Sequence, residues 1–205
     1  MTFFMFELKN KIALNLPKIL LAVFACFWLV LWYITPNSFN WYLENIAIFT
    51  AIPFVVLSYF KFRLSNFYYS LIFVFALLHI FGAYNTYATS PWGEWLKAML
   101  NLDRNYYDRI IHFLYGVMIA PVALEIFNKY IKTKNLLLFA VVFSAVVAIG
   151  ALYEVGEYVA VQIVDPQAGL NFLGFQGDIW DTQKDMALQA SGALIVLFLI
   201  FIFML

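Results

Sequence analysis

Charge and cysteine are scarce in this chain. Charged residues make up 12% of its 205 residues, about half the ~25% of an ordinary soluble domain. That is too little to coat a water-soluble surface. Formal net charge is zero and no basic tail is present, so nucleic acid is not an expected partner. The single cysteine, Cys26, has no partner for an internal disulfide. It lies in the first apolar run and reads as a small buried hydrophobe. No small-residue cleavage site follows that long aromatic run, which argues against a cleaved signal peptide. No proline- or glycine-rich linker and no internal repeat divides the chain, so residues 1–205 read as one domain.

Apolar residues are abundant instead, at 65%, with 23 phenylalanines. The apolar runs are too many and too long for one soluble core. Six spans are expected, at Leu16–Thr35, Leu43–Phe60, Asn66–Ala88, Tyr107–Phe127, Asn135–Val159 and Asp181–Leu205. Each is near the length that crosses roughly 30 Å of hydrocarbon as a helix. Strands with free edges cannot sit in lipid, so the fold class is all-α, a polytopic bundle of six transmembrane helices. The second span is the shortest and carries Pro53, whose ring costs a backbone hydrogen bond there.

Lys and Arg set the expected orientation. Lys9, Lys11, Lys18, Lys61, Arg63, Lys129, Lys132 and Lys134 share one side of a six-span arrangement. Lys97, Arg104, Arg109 and Lys184 fall on the other. The positive-inside rule then puts both termini in the cytoplasm. The acids are distributed in the opposite sense. Only Glu7 and Glu125 fall at the cytoplasmic side. Glu44, Glu94, Asp103 and Asp165 read as solvated loop residues.

The remaining acids sit on helices at regular spacing. In NYYDRIIHFLYG, Asp108 and His112 are four apart and share a face, which Tyr115 extends. In ALYEVGEYVA, Glu154 and Glu157 are three apart at a helix C-terminal end, where the helix dipole disfavours acids. In GDIWDTQKDM, Asp181 and Asp185 are four apart, Gln189 continues their stripe and Asp178 precedes it. His79 lies in the third span. Turning such groups toward lipid costs about 2.5 to 3.5 kcal/mol each at mid-membrane, so the cheapest packing points them at one another.

That packing makes an acidic pocket open to the outer side, with Arg109 as the only arginine beside it. Either some of its carboxylates are protonated or a cation sits among them. Imidazole and carboxylate ligands suit a divalent metal such as Zn, Mn or Mg, with His79, His112, Glu157, Asp181 and Asp185 as candidate ligands. His112, Asp108 and Glu154 are the candidate catalytic groups for activating water. Arg109, Tyr115, Asp178 and Gln189 are candidate binding residues. Bland readings stand beside these. His79 can simply hydrogen-bond a backbone group or a tyrosine, and Asp108 and Asp181 can be first-turn acids. Tyr106, Tyr107, Tyr153, Tyr158 and Trp180 read as an interfacial aromatic belt. Gly116, Gly150, Gly156 and Gly192 read as sites of close helix packing.

HIFGAYNTY (79–87), NYYDRIIHFLYG (105–116), ALYEVGEYVA (151–160) and GDIWDTQKDM (177–186) together resemble the YjdF-like family of predicted bacterial inner-membrane proteins, a family of unknown function. The likeness covers nearly the whole chain. Asp108 to His112 and Asp181 to Asp185 are also similar to motifs of the VanZ-like proteins, which are linked with glycopeptide resistance and cell-surface functions. Both likenesses imply fold and site and leave the reaction open. The leading expectation is metal-assisted hydrolysis of a lipid-linked or amphiphilic substrate at the outer face of the bilayer. An ion or solute transporter, and a structural or assembly protein, are the alternatives.

Overall fold

The computed structural model describes residues 2–36, 38–131, 136–164, 169 and 172–204, with side chains from residue 15 to residue 203. Lys132, Lys134, Asn135, Asp165 and Leu205 lie outside the described residues. The helices are α1 (Thr2–Ile34), α2 (Ser38–Glu44), α3 (Ile46–Lys61), α4 (Asn66–Asn85), α5 (Pro91–Leu100), α6 (Tyr107–Tyr130), α7 (Leu136–Ile163) and α8 (Asp181–Met204), with a 3-10 turn at Tyr87–Thr89. Among the described residues, α1, α4, α6, α7 and α8 are each long and apolar enough to cross a membrane. The pair α2 and α3 passes the same test as one broken span bent by 43°. The protein is therefore a polytopic helical membrane protein.

The second span breaks at Asn45 rather than at Pro53, which α3 accommodates. The Asn45 amide donates from Nδ2 to the Trp41 carbonyl at 2.7 Å and accepts the Trp28 indole N–H at 2.6 Å. A side chain that competes for its own i−4 carbonyl bends a helix in this way. The third span also stops early, at Asn85. Thr86 and Tyr87 take φ values of 52° and 20°, which end the helix and fold the Tyr87 ring back over Gly82.

Four apolar clusters hold the spans together among the described residues, two of them larger than the others. Ala120 and Leu124 of α6, Val142 and Val146 of α7, and Ala193 and Leu197 of α8 form one. Phe24 and Leu31 of α1, Trp41, Ile48, and Ile80 of α4 form the other. The α6–α8 crossing is a contact of backbones. A Cβ added to Gly116 would run into the Gln189 carbonyl and the Ala193 N–H. One added to Gly192 would run into the Phe113 carbonyl and the Val117 N–H. Gly150 leaves room for the Gln189 amide, whereas Gly156 meets nothing within 4 Å and has no packing role.

The outer surface is apolar, with Phe54, Phe60, Leu152 and Phe203 all more than two-thirds exposed, as a lipid-facing surface requires. Cys26 is exposed there too, not buried as expected. Tyr158 and Trp180 are exposed at the membrane ends, but Tyr107 is buried and donates to the Leu78 carbonyl at 2.8 Å, so it is not part of a belt. At the end of the bundle opposite the acids, α6 closes the α3–α4 connection. Lys129 Nζ donates to the Phe62 and Arg63 carbonyls at 3.0 and 2.8 Å, and Glu125 accepts the Ser65 N–H at 3.2 Å.

Candidate functional site

The start of α6, the later part of α7 and the start of α8 meet at one end of the bundle. Asp108, Arg109, His112, Glu154, Asp178, Asp181, Asp185 and Gln189 are brought together there through direct polar contacts. They sort into a rim and an interior.

The rim is a chain of ion pairs. Arg109 Nη2 lies 2.5 Å from Asp181 Oδ1 and 3.1 Å from Asp178 Oδ2, and its Nη1 lies 2.7 Å from Asp185 Oδ1. Arg109 Nη1 also donates to the Asp181 carbonyl at 2.7 Å. A second arginine joins it, contrary to the expectation that Arg109 stands alone: Arg104 Nη1 is 2.7 Å from Asp181 Oδ1 and 3.5 Å from Asp178 Oδ2. Lys184 closes the outside at 2.6 Å from Asp178. That bond, with the Trp180 N–H, holds the Asp178 carboxyl below its usual range. Three cations thus face three acids. Arg104 is set in a loop that is pinned on both sides. The backbone of Asn105 exchanges two hydrogen bonds of 2.9 Å with the Gln176 side chain. The Asn105 amide donates to the Ser90 carbonyl at 3.0 Å and to Glu94 at 2.9 Å.

The interior centres on His112. Its Nε2 lies 3.2 Å from Asp108 Oδ1, and its Nδ1 lies 3.5 Å from Glu154 Oε1. Gln189 Nε2 lies 2.5 Å from Nδ1, so each ring nitrogen has a polar neighbour. The Tyr153 ring packs 6.2 Å from the imidazole, centroid to centroid. Asp108, His112 and Asp185 can each offer one ligand atom such that all three lie within 4.8 Å of one another. Glu44, expected to be a solvated loop residue, is only 3% exposed and close enough to Asp108 and His112 for their charges to act on it. Glu157 is half-buried on the same side, within reach of Glu154, Asp108 and Glu44. Apart from Asp185, which the rim holds, the interior has Glu44, Asp108, Glu154 and Glu157 against a single imidazole. The rim pairs each acid with a cation, whereas the interior gathers four acids around one histidine.

Some expected site residues do other work. His79 Nε2 donates to the Glu44 carbonyl at 3.0 Å, and its Nδ1 accepts the Tyr87 hydroxyl at 2.6 Å. The carbonyl sits at the break between α2 and α3, so His79 satisfies the interrupted helix and has no ring nitrogen left for a ligand. Its bland reading is the structural one. Tyr115 donates to the Val146 carbonyl at 3.2 Å and packs on Phe75, within the helix interface. Asp181 is committed to two guanidinium groups, and neither it nor Glu157 nor His79 joins the group of possible ligand atoms. Arg104 and Glu44 were missed. Glu44 had a signal, since it lies inside the second expected span, where an acid must face protein rather than lipid.

A model of the family described as "Predicted membrane protein (DUF2238)" matches residues 16–205. The chain is similar to "Inner membrane protein YjdF" of Escherichia coli (strain K12), with 35% identity over 160 residues, 77% of this chain and 76% of that protein. The wider likeness to VanZ-like proteins is not shown by these matches. No solved structure matches.

Proposed function

The chain belongs to the DUF2238 family of predicted membrane proteins, and from that premise we propose that its buried polar cluster is a divalent-cation site on the outer face of a bacterial inner membrane, serving hydrolysis of a lipid-linked or amphiphilic substrate. Both termini are then cytoplasmic. The excess of Lys and Arg at the opposite end of the bundle supports that orientation, and the YjdF relative is named an inner membrane protein.

The observation that carries the proposal is the acid-rich interior beside an ion-paired rim. Ionised carboxylates cannot be gathered in a dehydrated site without compensation. Asp108, His112 and Asp185 supply it by holding a cation, their 4.8 Å limit being slightly wider than the about 3–4 Å between ligands at a metal distance of 2.0–2.2 Å. A divalent cation there would acidify a water and polarise a carbonyl or phosphoryl oxygen. The residues around it have separate tasks. Glu154 and Gln189 lie against Nδ1, and with the Nδ1 proton turned to Glu154 the Nε2 lone pair is free for the cation, the carboxylate–histidine arrangement that orients metal-binding imidazoles. Arg109 holds Asp185 in place. Glu157, with no cation beside it among the described residues, is the group suited to take a proton from water. A structural or assembly role is favoured by the rim alone, whose ion pairs close on themselves.

Elemental analysis of the protein purified in mild detergent tests the proposal, together with an Asp108→Asn/Asp185→Asn double variant. About one divalent metal per chain is expected, lost in the variant. No metal in the wild type, or equal content in both, sinks it.

A further inference from the structure

Arg104 is buried to 93%, yet only one of its three guanidinium nitrogens is used. Nη1 serves Asp181 and Asp178, whereas Nε and Nη2 are shielded from solvent and have no hydrogen-bond partner. These two N–H groups form one edge of the planar guanidinium, the fork that matches a pair of oxygens on a phosphate or carboxylate. A buried charged donor without an acceptor is costly, and the loop that carries Arg104 is pinned by Asn105 and Gln176, so the edge is held where it is rather than swung out to water.

The height of this edge in the membrane narrows the ligand. The amphipathic helix α5, which Asn105 grips at Glu94, exposes Trp92 and Trp95, and Trp180 is exposed beside the rim. Exposed tryptophans mark the headgroup level of a bilayer, where phosphate is the prevailing anion. From this geometry we infer that the Nε–Nη2 edge of Arg104 is an anion subsite that takes a phosphate group, next to the Asp108–His112–Asp185 group. The inference rests on the proposed cation site in one respect: it names the substrate of that site as a phosphorylated compound. The links are short. Arg104 and Arg109 share Asp181, and Arg109 holds Asp185. A phosphate on the outer arginine is thus tied through two side chains to one of the three candidate ligands. To reach the edge, the phosphate must displace the side chains that now enclose it.

The test uses the full chain in detergent, with Mn2+ loading followed in the same samples. The probes are inorganic phosphate, dihexanoyl phosphatidic acid, uncharged dihexanoylglycerol, and chloride at matched ionic strength. Binding of both phosphates but of neither control is expected, read by calorimetry and by a rise in melting temperature. Arg104→Lys keeps the charge against Asp181 and removes the fork, so it should weaken phosphate binding at least about tenfold while Mn2+ binding persists. Tighter binding of the phosphatidic acid than of inorganic phosphate identifies a membrane-derived ligand, and equal binding a soluble one. Either supports the subsite. Phosphate binding no better than chloride in the wild type overturns it, whether or not the variant folds. So does unchanged phosphate affinity in folded Arg104→Lys. Mn2+ binding without phosphate binding removes this inference alone, and Arg104-dependent phosphate binding without Mn2+ removes the cation site alone.

Discussion

His79 shows how a polar residue in a span can serve the fold and not the chemistry. It joins the carbonyl freed at the α2–α3 break to the Tyr87 hydroxyl. His79→Phe should therefore cost about 1–3 kcal/mol by leaving the buried Glu44 carbonyl without its donor and the Tyr87 hydroxyl with only the backbone carbonyl of residue 79 at 3.3 Å, with the metal content unchanged. Thermal unfolding and elemental analysis of one preparation measure both, and loss of metal from a folded variant would place His79 in the site after all. At this scale the sequence was half legible. Asp108, His112, Asp181 and Asp185 announce shared faces through their i, i+4 spacing. Arg104 does not, because it lies in a loop whose path depends on Asn105 meeting Gln176, 71 residues away. Glu44 shows only as an acid inside an expected span, because a break about two turns short of Pro53 is written in one asparagine side chain and not in hydropathy.

At the scale of elements, the crossing of α6 and α8 sets the distance across the site. Gly116 and Gly192 let the backbones touch, and about one turn further along lie His112 and Gln189, and about two turns along Arg109 and Asp185, facing one another. Gly192→Ala should push the helices apart, destabilising the protein by roughly 1–3 kcal/mol and weakening cation binding with it. Gly156→Ala, where nothing lies within 4 Å, should leave both unchanged. Reversible unfolding in mixed micelles compares the two, and equal effects would mean that the crossing does not set the site. Hydropathy found the spans because lipid demands long apolar runs. It could not separate Gly192 from Gly156, because what differs is the neighbour and not the residue.

The whole molecule has two unlike ends. One gathers acids around His112; at the other, α6 is bolted to the α3–α4 connection by Lys129 and Glu125. The proposed orientation rests on that polarity. In a Cys26→Ser background, a cysteine placed at Asn101 should react with a membrane-impermeant maleimide in intact cells, and one placed at Arg63 only after lysis. The reverse pattern would turn the protein over and end the reading of an outward-facing site. Six spans and an acid-rich end were legible from composition and spacing. The partition into an ion-paired rim and an acid-rich interior was not, since it depends on which acid each arginine reaches.

The rim also dictates an order of assembly. Arg104 and Arg109 leave the ribosome some seventy residues before Asp178, Asp181 and Asp185, and chains are made from the N-terminus onward. Until the last helix arrives, both guanidinium groups stand in the nascent bundle without their carboxylates. Helix α8 is therefore the closing piece, and a chain that stalls before it leaves both arginines without the carboxylates that neutralise them.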